Sequence, residues 1–208
     1  MNEEILYESD EEDITCEELI KKMKLIWQNE KASVILLEYQ TEIIDLLMTQ
    51  LKIYEENTDI NQKELLAQHI LKIHIERIKY IITDYSRTRI HKIEEWCDYY
   101  LKEDPNNLTP AEKTHATLYQ KLISNHLIEN VISQTNPRKD FNLSQFVNSP
   151  NSDKFVFCFA MKSVEINVNE DFNANSDILT ISVHAGDQFV APFRSVETHV
   201  KKGSILLI

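Results

Sequence analysis

The chain has 208 residues, 42% of them hydrophobic and 27% charged, which is enough apolar material for one large domain or a medium domain with a small companion. No apolar run reaches the length of a membrane span, and the acidic start lacks the basic-then-apolar order of a secretory signal, so a soluble intracellular protein is expected. The net charge of −12 sits mostly in the first twenty residues, which hold nine carboxylates and no Lys or Arg; the remainder has no broad attraction for phosphate backbones, so autonomous tight DNA binding is not expected.

Residues 1–14 read as an acidic disordered arm. Ser9, followed by Asp10, Glu11 and Glu12, suits an acid-directed kinase. Ile5, Leu6 and Tyr7 are the apolar anchors of an alternative reading, a short docking peptide. A helical domain spans 15–136. Thr15 and Glu18 form a capping box that opens its first helix, with Leu19, Met23, Ile26 and Trp27 facing inward. A break is predicted over 29–33, then a short turn or helix from Val34 to Leu37. A second helix covers 42–57 with Ile43, Leu46, Leu47, Leu51 and Tyr54 on one side.

Residues 61–103 contain neither glycine nor proline and read as one long helix. Leu71, Ile75, Ile78, Ile82, Tyr85, Arg89, Ile93, Trp96 and Tyr100 recur at steps of three and four, forming a stripe. Leu66, Ile70, Ile73, Arg77 and Ile81 form a second. Unbroken, such a helix would run about 60 Å, longer than its own domain, and two apolar faces call for more than one neighbour. Thr109, Pro110 and Glu112 then combine an N-cap, a first-turn proline and a capping-box carboxylate, opening a last helix to about Gln134.

Residues 137–153 lose the helical period and read as a linker. Over 154–208 the pattern alternates, as in Phe155 to Ala160, and predicts short strands at 155–160, 164–168, 178–183, 188–193 and 204–208. The fold class is therefore α+β by domain: an all-α bundle-like domain followed by a small all-β domain. About 55 residues make a meagre core, so the second domain must lean on something.

Signatures of chemistry are missing. Both glycines, Gly186 and Gly203, lie in the β part, so phosphate-cradling loops are excluded over most of the chain. His69 and His74 are five apart, on different helix faces, and His184 and His199 have no cysteine partner at ligand spacing. Cys16, Cys97 and Cys158 are odd in number and far apart, which excludes a disulfide framework and suits a reducing compartment. Asp84 and the Glu94–Glu95 pair fit solvated or salt-bridged helix positions. Arg77, Arg87 and Arg89 could mark a phosphate site, but beside Tyr80 and Tyr85 they fit ion pairs and aromatic stacking better. No enzyme activity, cofactor or metal is expected.

The run Glu76-Arg77-Ile78-Lys79-Tyr80-Ile81-Ile82, followed by Tyr85, Arg87, Arg89-Ile90 and Lys92-Ile93-Glu94, resembles the central-helix signature of the GINS complex, specifically its Sld-five-type subunit. Leu25 to Glu30, Leu108 to Glu112, Lys154 to Phe157 and the ending Gly203 to Ile208 agree in order and spacing. The resemblance covers roughly residues 15 to 208. It implies a non-catalytic scaffold subunit of a nuclear four-chain assembly, with three other GINS subunits as partners and, where the acidic arm acts as a docking peptide, a replisome hub. That assembly associates with the replicative helicase ring and its activating factor, in initiation and elongation of DNA replication. In this family the helical domains pair side by side and this subunit's β domain packs on a neighbour. Ile78, Tyr85, Arg89 and Trp96 are accordingly expected at the helical contact, and Leu206, Leu207 and Ile208 at the β contact.

Two other classes compete. One is an unrelated helical adaptor of chromatin or kinetochore that uses the long helix for partner binding. The stripe averages 3.6 rather than the 3.5 of a coiled coil, which favours globular packing. The other is a single-strand DNA binder, for which Phe155, Phe157 and Phe159 supply rings but only Lys154 and Lys162 flank them.

Overall fold

The computed structural model describes residues 15–60, 65–132, 149–169 and 178–208. The acidic arm, the first residues of the predicted long helix, most of the linker and residues 170–177 lie outside them. α1 (Cys16–Ala32) opens on the predicted capping box: Thr15 N–H donates to Glu18 Oε2 at 3.2 Å and Glu18 N–H to Thr15 Oγ1 at 3.4 Å. It runs four residues into the region read as a break. Residues 34–37 are not helical; they pass as a strap beneath the sheet. α2 (Thr41–Ile60) buries Ile44, Leu47 and Leu51 and leaves Leu46 and Tyr54 of its predicted face exposed.

α3 (Leu65–Glu95) does not continue to residue 103. It breaks at Trp96 (φ −120°, ψ 37°), after which α4 (Cys97–Lys102) begins. No glycine or proline marks the break. Tertiary contacts lie just beyond it. The Cys97 thiol donates to the Ala116 carbonyl at 3.1 Å, and Tyr100 Oη accepts the Leu36 N–H at 2.9 Å. A 3-10 turn (Pro105–Asn107) then leads to α5 (Pro110–Leu127), which has the predicted Thr109–Glu112 box and ends in a π-helical turn, Ile128–Ile132.

α1, α2 and α3 share one core around Leu19, Met23, Ile44, Leu47, Ile75, Ile82 and Tyr85. A second core joins Leu36, Ile93, Cys97, Tyr100, Leu108 and Ala116. Each fully buried side chain of this size contributes about 1.5–3 kcal/mol.

The C-terminal part places β1 (Phe155–Ala160) between β4 (Gln188–Pro192) and β5 (Ile205–Leu207), both antiparallel to it, beside a hairpin of β2 (Val164–Asn169) and β3 (Ile178–Val183). Val156, Cys158 and Ala160 point inward; Phe155 and Phe157 point out. This part is not purely β. α6 (Phe193–Lys201) buries Phe193, Val196 and Val200 at helical spacing against the sheet. Gly203 (φ 68°) ends it in a Schellman motif: Gly203 N–H donates to Val200 O and Ser204 N–H to His199 O. The helix precedes β5 so closely that a nine-residue amphipathic stretch is easily taken for strand and turn. The small domain does lean on something within the chain. Ala32, Val34, Ile35 and Leu37 pack under its core, and Leu207 N–H donates to Asn29 Oδ1 of α1 at 2.9 Å.

Candidate partner-binding surfaces

The interior bounds what the surface can offer. Arg89 is completely buried, and every direction of its guanidinium is occupied. Nε and Nη2 donate to the two oxygens of Glu112 at 2.7 and 3.1 Å; Nη1 reaches Glu30 Oε2 at 3.4 Å and the Leu37 carbonyl at 2.6 Å; Nη2 also reaches the Asn107 carbonyl at 2.9 Å. Its plane lies 5.1 Å from the Tyr39 ring and 5.7 Å from the Tyr85 ring. Lys92 takes the other side of Glu30, donating to Oε1 at 2.8 Å, to the Glu30 carbonyl, to Ser33 Oγ at 2.7 Å and to the Ile35 carbonyl at 3.1 Å.

Electrostatics follow from this enclosure. Burial works against the Arg89 charge, yet Glu112 and Glu30 hold its pKa above the ordinary arginine value. Burial would raise Glu112, but the Arg89 bonds and charge, with the Thr109 cap, outweigh it and keep the carboxyl below the usual range. Lys92 is the reverse: burial lowers it despite Glu30. α1, the strap, α3, the 3-10 turn and α5 are thus tied through one cation pair. Nothing in it is open to substrate.

Outside, apolar surface collects in three places. On α3, Leu66 is 75% exposed and Ile73 66%, with Ile70 and Leu71 alongside. Beside them Cys16, Ile20, Leu51, Tyr54, Leu71 and Ile75 line a groove of about 240 Å³ between the three helices. On α5, Leu118, Leu122, Ile123 and Leu127 are uncovered. On the sheet, Phe155, Phe157, Val190 and Ile208 share the outward side, Phe157 lying opposite Val190 in the register. Scattered exposed apolar residues are ordinary, whereas continuous patches of this kind mark binding surfaces.

The residues expected at the interfaces divide accordingly. Tyr85 and Arg89 are enclosed by this chain's own residues and present nothing to another chain; the first stripe of the long helix faces its own core. Ile78 and Trp96 are half-buried. Leu207 is fully buried in the sheet's core, Leu206 is half-buried and Ile208 is exposed. The second stripe, at Leu66, Ile70 and Ile73, is the one left uncovered, although Ile81 at its far end is buried. Asp84 is salt-bridged: it accepts from Trp27 Nε1 at 2.8 Å and faces Lys31 at 3.7 Å. His69 and His74 are exposed, and among the described residues no group of three His, Cys, Asp or Glu side chains could hold a metal. No helix among them is long and apolar enough to cross a membrane.

Two family models match the chain in the order in which its parts fold. The GINS complex protein helical bundle domain matches residues 38–129, and the C-terminus of the DNA replication complex GINS protein SLD5 matches residues 150–208. The chain belongs to the Sld5 family of GINS proteins. Similar proteins, each named DNA replication complex GINS protein SLD5, occur in Homo sapiens, 29% identical over 96% of this chain and 93% of the relative, and in Arabidopsis thaliana, 25% identical over 91% and 90%. One from Schizosaccharomyces pombe is 24% identical over 88% of each chain. The Sld5 helical-bundle match takes in Arg89, Lys92, Asn107 and Glu112 of the ion cluster but not Glu30 or Leu37, and the C-terminal match takes in the whole sheet and α6.

Proposed function

We propose that this chain is a non-catalytic scaffold subunit of a four-chain GINS assembly, acting in the nucleus, and that through this assembly it associates with the replicative helicase ring and its activating factor to support initiation and elongation of DNA replication. The observation that supports this reading is the surplus of apolar surface on a chain whose buried ion cluster is closed. Leu66, Ile70 and Ile73 stand out from α3, while Arg89, buried near the other end of the same helix, has every donor used within the chain. A chain whose polar interior is closed and whose apolar faces are open is built to be held by other chains rather than to turn over a substrate. The sheet's outward Phe155, Phe157 and Ile208 supply a second contact in the same reading.

Co-expression with the three other GINS subunits tests it. Size-exclusion chromatography with mass measurement should give a particle holding one copy of each, with this chain soluble chiefly in company. A chain that runs alone and ignores the other three would overturn the reading and favour an unrelated helical adaptor.

A further inference from the structure

The break at Trp96 leaves a groove. α3 ends and α4 begins there, and α5 packs alongside, so Tyr119, Ile123 and Leu127, one helical turn apart, face a cleft of about 350 Å³. Its other wall is Glu94 to Asp98 with Trp96 at the corner. The floor is aromatic and aliphatic. The rim carries Glu94, Glu95 and Asp98, and among the described residues no Lys or Arg lines it. Two rim carboxylates already have neutral or weakly basic neighbours, His115 at 3.0 Å from Glu94 and Gln120 on Asp98; Glu95 is exposed.

We propose that this groove docks a basic, apolar peptide segment of another protein, a short helix that places aliphatic side chains between Trp96 and Ile123 and Lys or Arg against Glu94, Glu95 and Asp98. Charge complementarity selects this occupant. An acidic or neutral apolar segment would fill the floor but leave the rim carboxylates facing apolar surface or like charge, whereas lysines and arginines lay their stems along the floor and their heads on the rim. The volume exceeds what a single aliphatic side chain fills, so at least two neighbouring apolar residues of the segment enter together. The groove lies at the far end of the helical part from the exposed stripe of Leu66 to Ile73, so occupation of one leaves the other open.

The probe is a fluorescein-labelled amphipathic helix of leucine and lysine, titrated by anisotropy with the full chain in its purified assembly, beside a leucine and glutamate peptide of the same length. The lysine peptide should bind and the glutamate peptide should not. Glu95→Lys and Ile123→Asp should each weaken the lysine peptide by about fivefold or more, the loss expected of a contributing interface residue. Neutralising Glu3, Glu4 and Glu8 should leave it unchanged. Glu95 is exposed, so its variant folds even if Ile123→Asp does not, and circular dichroism verifies both. Equal binding by the Glu95→Lys chain, or loss of binding on neutralising the arm instead, would overturn the proposal and assign the peptide to the acidic arm.

Discussion

Arg89 and Glu112 form a two-pronged ion pair, Nε to Oε1 at 2.7 Å and Nη2 to Oε2 at 3.1 Å, and the same carboxylate accepts the Thr109 N–H at 2.9 Å to cap α5. One side chain therefore starts α5 and neutralises a cation buried on α3. The capping box at Thr109 is thus a tertiary contact as well as a local one, and the buried Arg89 is positioned by a residue twenty-three places further on.

Removing that cation should be severe. Arg89→Ala leaves Glu112 buried without its cation and Glu30 with Lys92 alone, and truncating one member of a buried pair lowers stability by about 3–5 kcal/mol. Urea denaturation should read this as a lower midpoint with an unchanged slope. Arg89→Lys should recover only part of it, because an ammonium cannot match both Glu112 oxygens, Leu37 and Asn107 at once. A stability for Arg89→Ala equal to the parent's would contradict the closed cluster.

Glu112 gives the pH dependence its sign. Its folded pKa lies below the ordinary carboxylate value, so the stabilisation it supplies is fully present above that ordinary value. It is lost as pH falls through the depressed folded value. Glu112→Gln should therefore be less stable than the parent at neutral pH, with the gap closing under acid. Thermal melts of both proteins across that range would show it; a gap that widened on acidification would be the wrong sign.

On α3 the two stripes should respond oppositely. Leu66→Asp with Ile73→Asp changes exposed positions, so folding stability should move by only about 0.5 kcal/mol while co-purification of partner chains is lost. Tyr85→Asp puts a charge in the core and should abolish folding of the helical part. Circular dichroism alongside a pull-down separates the cases. Retention of all partners by the double variant would remove the stripe from the interface.

The sheet repeats this contrast across one strand pair. Leu207 is buried beside Cys158, whereas Phe157 on the same central strand points outward and is 66% exposed. Leu207→Asp should cost more than about 4 kcal/mol by burying an unpaired charge, whereas Phe157→Asp should cost about 1 kcal/mol or less and act on partner binding instead. Loss of partners with Leu207→Asp would report unfolding rather than a broken contact. Limited proteolysis distinguishes the two.

Cys158 should be the last thiol to react. Burial alone pushes it up to about 11, so at neutral pH it is almost entirely protonated as well as covered. Alkylation by iodoacetamide followed by peptide mapping should find Cys16, which is half-buried, modified long before Cys158. Early modification of Cys158 in the folded chain would show that the sheet opens off its seat on α1.

Local signals in the chain alone were enough for much of this protein. The Thr15 and Thr109 capping boxes, Pro110 at a first helical position and the period-two run from Phe155 to Ala160 each depend on neighbours within a few residues, and each element begins where they put it. The order of helical half and sheet half was equally legible, because the hydrophobic period changes from about 3.6 to two along the chain. What the sequence could not fix was direction. Periodicity identifies a stripe but not whether it meets its own chain or another, and α3 has two. Only the placement of α1, α2 and the 33–37 strap assigned Tyr85 and Arg89 to the interior and left Leu66, Ile70 and Ile73 outside. The break at Trp96 has the same origin. No glycine or proline is there; Ala116 and Leu36, brought in from other elements, hydrogen-bond Cys97 and Tyr100 just beyond it. Tertiary contacts outweigh local propensity at that one position, and the groove beside it exists because they do.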